Sequence, residues 1–208
     1  DKKVAIKEFF VEDLCNRDEN SSRVTVVTQS KKALVERLKD KFVKEAKSIW
    51  NLNNRGIVRV SDVFEENGTA YYVMDYIEGK SLEEKIKDKV NLSEEETLIY
   101  VRQVADTLRY IHSKNILHLD IKPGNIMIDE EDNAILIDFG ASKQYDEVDG
   151  ENTSTLLLKT PGYAPLEQMD NEVGVFFPAT DIYALGATMY KMLTGVTPPN
   201  AIKLAGKF

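Results

Sequence analysis

The sequence predicts an α+β chain of two lobes, a small β-rich one over residues 1–78 and a larger, mainly helical one over residues 79–208. Three observations carry this expectation. Short β-like runs flank one long amphipathic stretch before Gly79, two Ser-x-x-Glu capping boxes follow it closely, and the pattern returns to brief strands and a loop before a last helix.

Val4 to Phe10 is the first strand, and its alternation sets Ala5 and Lys7 on one face with Val4 and Ile6 on the other. Residues 11–30 are polar and are expected to stay irregular. From about Lys31 to Asn53, Leu34, Leu38, Phe42, Ala46 and Ile49 recur at helical steps and make one apolar stripe. Ile57 to Phe64 and Ala70 to Tyr76 are strands, joined through Asn67-Gly68, two residues that accept the positive φ of a tight hairpin turn. A linker near Ile77 to Lys80 separates the lobes.

Ser81 with Glu84, and Ser93 with Glu96, then open two helices, the second running to about Ser113 with Leu98, Val101, Ala105, Leu108 and Ile111 buried. Residues 126–138 give two short strands about the turn from Asp129 to Asn133. A loop of about 40 residues leads to a final helix from near Asp181 to Leu193, stopped by Gly195.

Composition narrows the function. The chain has 208 residues, with 27 Lys and Arg against 35 Asp and Glu, a formal charge of -8. Binding along a nucleic-acid backbone therefore has no electrostatic support. The one cysteine, Cys15, closes no internal disulfide and reads as a structural or incidental thiol, and two histidines assemble no zinc site. A reducing, cytoplasmic setting fits. Apolar runs fall far short of the roughly 20 residues that cross a bilayer, so no membrane segment is expected. Asp1-Lys2-Lys3-Val4 enters a strand with no Met or signal-peptide pattern, as in a piece of a longer chain.

The chemistry concentrates in His118-Leu119-Asp120-Ile121-Lys122-Pro123-Gly124-Asn125 and Asp138-Phe139-Gly140. In order with Val4-Ala5-Ile6-Lys7, a helix bearing Glu45, and Thr160-Pro161-Gly162-Tyr163, this set resembles protein kinases, in particular bacterial Ser/Thr kinases of the eukaryotic type. The resemblance implies a two-lobed kinase fold without the Gly-rich loop and the late helices, hence weak activity for these residues alone. It implies transfer of phosphoryl from ATP, with Mg²⁺, to Ser or Thr of a protein substrate. The oligomeric state stays open.

Residue by residue, the resemblance assigns Lys7 to the nucleotide phosphates, fixed by Glu45, with Glu36 as the competing partner. It assigns Asp120 to the acceptor hydroxyl, Lys122 to the travelling phosphoryl group, and Asn125 and Asp138 to the metal. Ala5 and Met127 would sandwich adenine, with Met74 beside it and the Asp75, Tyr76 and Ile77 backbone along its edge. His118 is expected beneath Phe139, and His112 is expected to favour its helix dipole and nothing more. Thr153, Ser154, Thr155 and Thr160 are candidate modification sites, with Thr160 expected rather to be a structural hydroxyl contacting Asp120 and Lys122. Leu119 stands where many kinases carry Arg, so regulation through a loop phosphate is not expected. A pseudokinase or scaffold is the alternative reading; a small-molecule kinase of the same fold is opposed by the Thr160 to Tyr163 segment.

Overall fold

The computed structural model describes residues 2–18, 21–139, 143–144, 160–169 and 176–206. Gly140, Thr153, Ser154 and Thr155 lie outside them. The chain forms two compact units, Asp1–Asn53 with Val58–Tyr76, and Asn54–Ile57 with Ile77–Phe208. The sequence reading divided the chain after Glu78; the backbone divides it at Tyr76. Residues 54–57 go with the second unit because Ile57 bridges Leu136, whose N–H donates to the Gly56 carbonyl at 2.8 Å.

The first unit contains β1 (Val4–Glu8), β2 (Cys15–Arg17), β3 (Val24–Val26), a 3-10 turn over Gln29–Lys31, α1 (Lys32–Trp50), β4 (Val60–Glu66) and β5 (Thr69–Asp75). Its antiparallel sheet has the order β1-β5-β4, with Ala5 opposite Met74 and Lys7 opposite Tyr72. The expected alternation holds: Val4 and Ile6 are exposed while Ala5 and Lys7 are half-buried. α1 packs on β4 and β5, where the Phe42 ring lies 5.1 Å from Tyr72 and 5.8 Å from Phe9. Its buried residues are Val35, Phe42, Glu45, Ala46 and Ile49; Leu34 and Leu38 are only half-buried, so the stripe is turned by one residue at its start.

Residues 11–30 depart from the expectation of an irregular segment, because β2 and β3 pair as a small hairpin. Each strand has three residues, too few for periodicity to register, and the hairpin rests on contacts distant in sequence. The Val24 N–H donates to the Asn67 carbonyl at 2.8 Å, and Cys15 and Val24 are buried. The turn beneath it has φ of 52° at Asn67 and 76° at Gly68, as the Asn-Gly step requires.

The second unit contains β6 (Gly79–Ser81), α2 (Leu82–Lys89), α3 (Glu94–His112), β7 (Ile116–Leu117), a 3-10 turn over Pro123–Asn125, β8 (Ile126–Asp129), β9 (Ala134–Leu136), β10 (Lys143–Gln144), α4 (Leu166–Met169), α5 (Pro178–Thr194) and α6 (Ala201–Ala205). One sheet has the order β6-β8-β9 and another pairs β10 with β7. Both capping boxes form: Ser81 Oγ accepts from the Glu84 N–H and Ser93 Oγ from the Glu96 N–H, each at 3.2 Å. Ser93→Ala removes the acceptor at the start of α3 and is expected to cost about 1 kcal/mol. A thermal melt should register that as a midpoint lowered by about 2–4 °C; an unmoved midpoint would show that α3 does not depend on this cap.

The buried face of α3 differs from the expected one. Thr97, Tyr100, Val104, Thr107, Leu108 and Ile111 are buried, while Leu98, Val101 and Ala105 are half-buried. Two of the polar residues take inner places with their oxygens bonded: the Tyr100 hydroxyl donates to Asp132 Oδ1 at 2.8 Å, and Thr107 Oγ1 to the Gln103 carbonyl at 3.0 Å. α5 packs against α3 and begins at Pro178 rather than near Asp181, since the fixed φ of proline suits a first helical turn. It ends at Gly195, where φ is 70° and an added Cβ would stand 2.2 Å from the Val90 carbonyl oxygen. The Leu92 N–H and the Asn91 side chain donate to the Met192 and Leu193 carbonyls at 2.8 and 3.1 Å. α4 and α6 were not expected; four and five residues carry no readable period. Among the described residues no helix is long and apolar enough to cross a membrane.

Candidate active site

In the second unit, β7 leads into a loop that turns back through the Pro123–Asn125 turn into β8, and this brings four polar side chains together. The Asp120 carboxylate is their centre. Its Oδ1 accepts from Thr160 Oγ1 at 2.8 Å, and its Oδ2 accepts from Asn125 Nδ2 at 2.7 Å and pairs with Lys122 Nζ at 2.8 Å. Lys122 Nζ also donates to Thr160 Oγ1 at 3.1 Å, so the expected contacts of that threonine are present. Asn125 Nδ2 donates again to the Asp120 carbonyl at 2.9 Å. The Asn125 carbonyl accepts from the Ile137 N–H at 3.0 Å, which places Asp138, with a φ of 58°, on the segment adjoining Asn125.

The backbone beneath is held by Asp181, which the sequence marked as opening the last helix without assigning it a role. Asp181, fully buried in the first turn of α5, accepts from the His118 N–H at 3.0 Å and the Leu119 N–H at 2.8 Å. Its Oδ2 also lies 2.8 Å from His112 Nε2. His112 therefore does more than favour its helix dipole: it joins the end of α3 to α5 through a carboxylate 69 residues away. Leu119 sits at a φ of 63°, costly for a residue with a Cβ, and the Asp181 contact holds it there. Its side chain is buried with Leu117 and Phe176, and its carbonyl accepts from Gln168 Nε2 at 2.8 Å. The sequence signal for Asp181 was its place at the start of the last helix, in order after the Tyr163 to Glu167 segment; Gln168 gave none.

His118 lies against Phe139, with ring centroids 4.6 Å apart, as expected. Its Nδ1 accepts from the Asp120 N–H at 3.3 Å, which sets the tautomer. Burial pushes its pKa down, against the opposing pull of the Asp181, Asp120 and Asp138 charges, so the ring is neutral and serves packing. Met127 is half-buried in β8, opposite Ser81 and Ile135. Ile77 begins this unit.

The other candidate residues belong to the first unit. Lys7 Nζ lies 5.6 Å from the centre of the Tyr72 ring, on the sheet face where Tyr72 meets Phe42 of α1. Ala5 and Met74, two residues along their strands, share that face. Glu45, three residues after Phe42, is buried, whereas Glu36 is exposed and pairs with Lys39 at 3.0 Å. Asp75 pairs with Lys2 at 2.7 Å, and its N–H donates to the Arg59 carbonyl at 2.9 Å. The Lys3 ammonium lies 5.7 Å from the Tyr76 ring.

Asn125 and Asp138 fit a magnesium ion on the chemistry of their donors. Both Asn125 Nδ2 contacts go to Asp120, which fixes the amide and leaves its Oδ1 as the acceptor, and Asp138 supplies a carboxylate. Two hard oxygen donors are few for an all-protein cage and suit a cation that keeps waters and phosphate oxygens. Among the described residues no group of three or more His, Cys, Asp or Glu could hold a metal by itself.

A β-sheet unit with one long helix followed by a mainly helical unit is the protein-kinase fold, and the comparisons identify it. The chain belongs to the protein kinase domain family, whose pattern matches residues 11–206. It is 37% identical over 160 residues to a probable serine/threonine-protein kinase of Clostridium perfringens, covering 77% of this chain and 23% of that one. It is 37% identical over 169 residues to serine/threonine-protein kinase B of Synechocystis, covering 77% and 29%, and 34% identical over 170 residues to serine/threonine-protein kinase PrkC of Bacillus subtilis, covering 80% and 26%. The solved structure of PpkA-294 in its apo form superposes with a TM-score of 0.81 at 26% identity, over 98% of this chain and 70% of that one. The chain spans about a quarter of the length of these curated relatives.

Proposed function

We propose that this chain carries the catalytic machinery of an ATP- and Mg²⁺-dependent protein kinase that phosphorylates Ser or Thr in protein substrates, in the cytoplasm, where ATP and a free Cys15 thiol are at home. The observation that carries the reading is the Asp120 carboxylate oriented by Thr160, Lys122 and Asn125. Phosphoryl transfer is mostly positioning and charge neutralisation, and this cluster supplies both. Asp120 Oδ1 or Oδ2 receives the proton of the acceptor hydroxyl and aims its oxygen. Lys122, paired with Asp120 in the resting cluster, neutralises the group in flight. Asn125 Oδ1 and the Asp138 carboxylate hold the metal, which supplies charge neutralisation on the phosphates when bound.

Lys7 binds the nucleotide phosphates and Glu45 orients it, the buried Glu45 suiting that task better than the exposed, paired Glu36. Ala5 packs on adenine with Met74 beside it, on the sheet face the two share; Met127 of the second unit is the remaining adenine candidate. Because the Asp75 N–H already serves Arg59, adenine contacts from this strand fall to the Asp75 carbonyl and the Tyr76 and Ile77 backbone.

Asp138→Asn in the full-length protein tests the reading. Loss of one metal-binding charge is expected to lower transfer of radiolabelled phosphate to a generic protein by about 10³-fold, the worth of several kcal/mol. Parental activity in the variant would remove Asp138 from the site, and a parent that binds nucleotide without transferring phosphate would make the chain a pseudokinase.

A further inference from the structure

α1 starts badly. α2 and α3 open on complete capping boxes, but the Gln29–Lys31 turn and α1 have no side-chain cap and no acidic residue in the first turn. Thr28, the extended residue before them, has its hydroxyl 3.3 Å from Ser30 Oγ instead of on a backbone N–H. Lys31 and Lys32 add cations at the positive end of the helix dipole. The start rests on backbone bonds of the 3-10 turn alone, the Lys31 N–H donating to the Thr28 carbonyl at 3.0 Å and the Lys32 N–H to the Gln29 carbonyl, and without a side-chain cap or a favourable charge such an end frays more readily.

The β2–β3 hairpin leads directly into that start. It runs into the turn before α1, and the Val27 N–H donates back to the Leu14 carbonyl at 3.0 Å. On one side the Val24 N–H reaches the Asn67 carbonyl at 2.8 Å, and an added Cβ on Gly68, at a φ of 76°, would stand 2.5 Å from the Val24 carbonyl oxygen. The turn thus needs glycine both for its conformation and for the room the hairpin takes. On the other side Arg17 pairs with Glu8 of β1, donates to the Ser22 carbonyl at 3.1 Å and lies 5.4 Å from the Phe10 ring. Midway along α1, Lys39 adds a second tie: its Nζ lies 2.9 Å from Glu65 of β4 and 3.0 Å from Glu36, with the side chain 13% exposed.

We propose that the β2–β3 hairpin, seated on Asn67-Gly68, is a built-in clamp that keeps α1 ordered on its sheet, and that Val24 and Gly68 are positioning residues for Glu45. This rests on the role given to Glu45 above. The helix is then held by contacts internal to its own unit, and no added ligand or modification is needed to order its start.

Two variants attack the contact from opposite sides in the full-length protein. Val24→Pro deletes the N–H that reaches Asn67, and Gly68→Ala puts a methyl against the Val24 carbonyl. Hydrogen exchange at residues 32–38 is expected to accelerate about tenfold or more in each, while exchange in α3 keeps its parental rate. Turnover should fall, and adding Thr28→Asp, which supplies both a cap and a favourable charge, should restore protection and turnover together. A folded Val24→Pro protein with parental exchange at residues 32–38 would overturn the clamp, as would restored protection without restored turnover. Because exchange is read without substrate, failure of the clamp is distinguishable from failure of the kinase reading, in which the parent itself transfers no phosphate.

Discussion

Asp120→Ala is expected to lower kcat for protein phosphorylation by about 10²–10⁴-fold, the range of a lost general base. The change removes the proton acceptor and also the common partner of Thr160, Lys122 and Asn125, whose contacts at 2.7–2.8 Å with the carboxylate converge on it. Asp120 is assigned to the acceptor hydroxyl and not to the nucleotide, so the KM for ATP should change less than about threefold. Steady-state rates at saturating Mg²⁺-ATP measure the first quantity and an ATP titration the second. A kcat within tenfold of the parent would take Asp120 out of the chemistry, and a large rise in the ATP KM with kcat kept would assign it to nucleotide binding.

Asp181→Ala is expected to produce the largest loss of stability. It strips the acceptor from two buried backbone N–H groups, those of His118 and Leu119, and leaves His112 without its carboxylate. Removing one side of a buried, hydrogen-bonded group of this kind costs about 3–5 kcal/mol. At about 2–4 °C per kcal/mol for a chain of this size, the thermal midpoint should fall by roughly 6–20 °C. Leu119 would also lose the contact that holds its positive φ, so turnover should fall even below the melting transition. Asp181→Asn keeps one acceptor oxygen and should fall between the parent and the alanine variant. A parental midpoint for Asp181→Ala would mean that other contacts hold the loop.

The local features were legible in the sequence and the long-range ones were not. Ser81 with Glu84, Ser93 with Glu96, and Asn67-Gly68 act within three or four residues, and each forms as its chemistry requires. The β2–β3 hairpin escaped because its strands are short and its seat is the Asn67 carbonyl, more than 40 residues away. On α3 the apolar stripe misplaced the buried face by one residue at its start, since a stripe of aliphatic residues does not count Thr97, Tyr100 and Thr107, whose side chains are buried. At the site, the ordered set from Asp120 to Asn125 was visible because its spacing is fixed in one loop. His112 and Asp181 meet across 69 residues, and neither side chain alone announces the other.

The junction between α2 and α3 carries a constraint on how such chains can diverge. Asn91 and Leu92 complete the last carbonyls of α5, and the Val90 oxygen occupies the space a side chain at Gly195 would fill. Lengthening or shortening the link by even one amino acid would pull these donors out of step with a helix end fixed a hundred positions downstream. Lineages that tolerate insertions elsewhere on the surface should therefore keep this link constant in length, and a peptide tag grafted there would unravel the distant helix terminus before it disturbed its own surroundings.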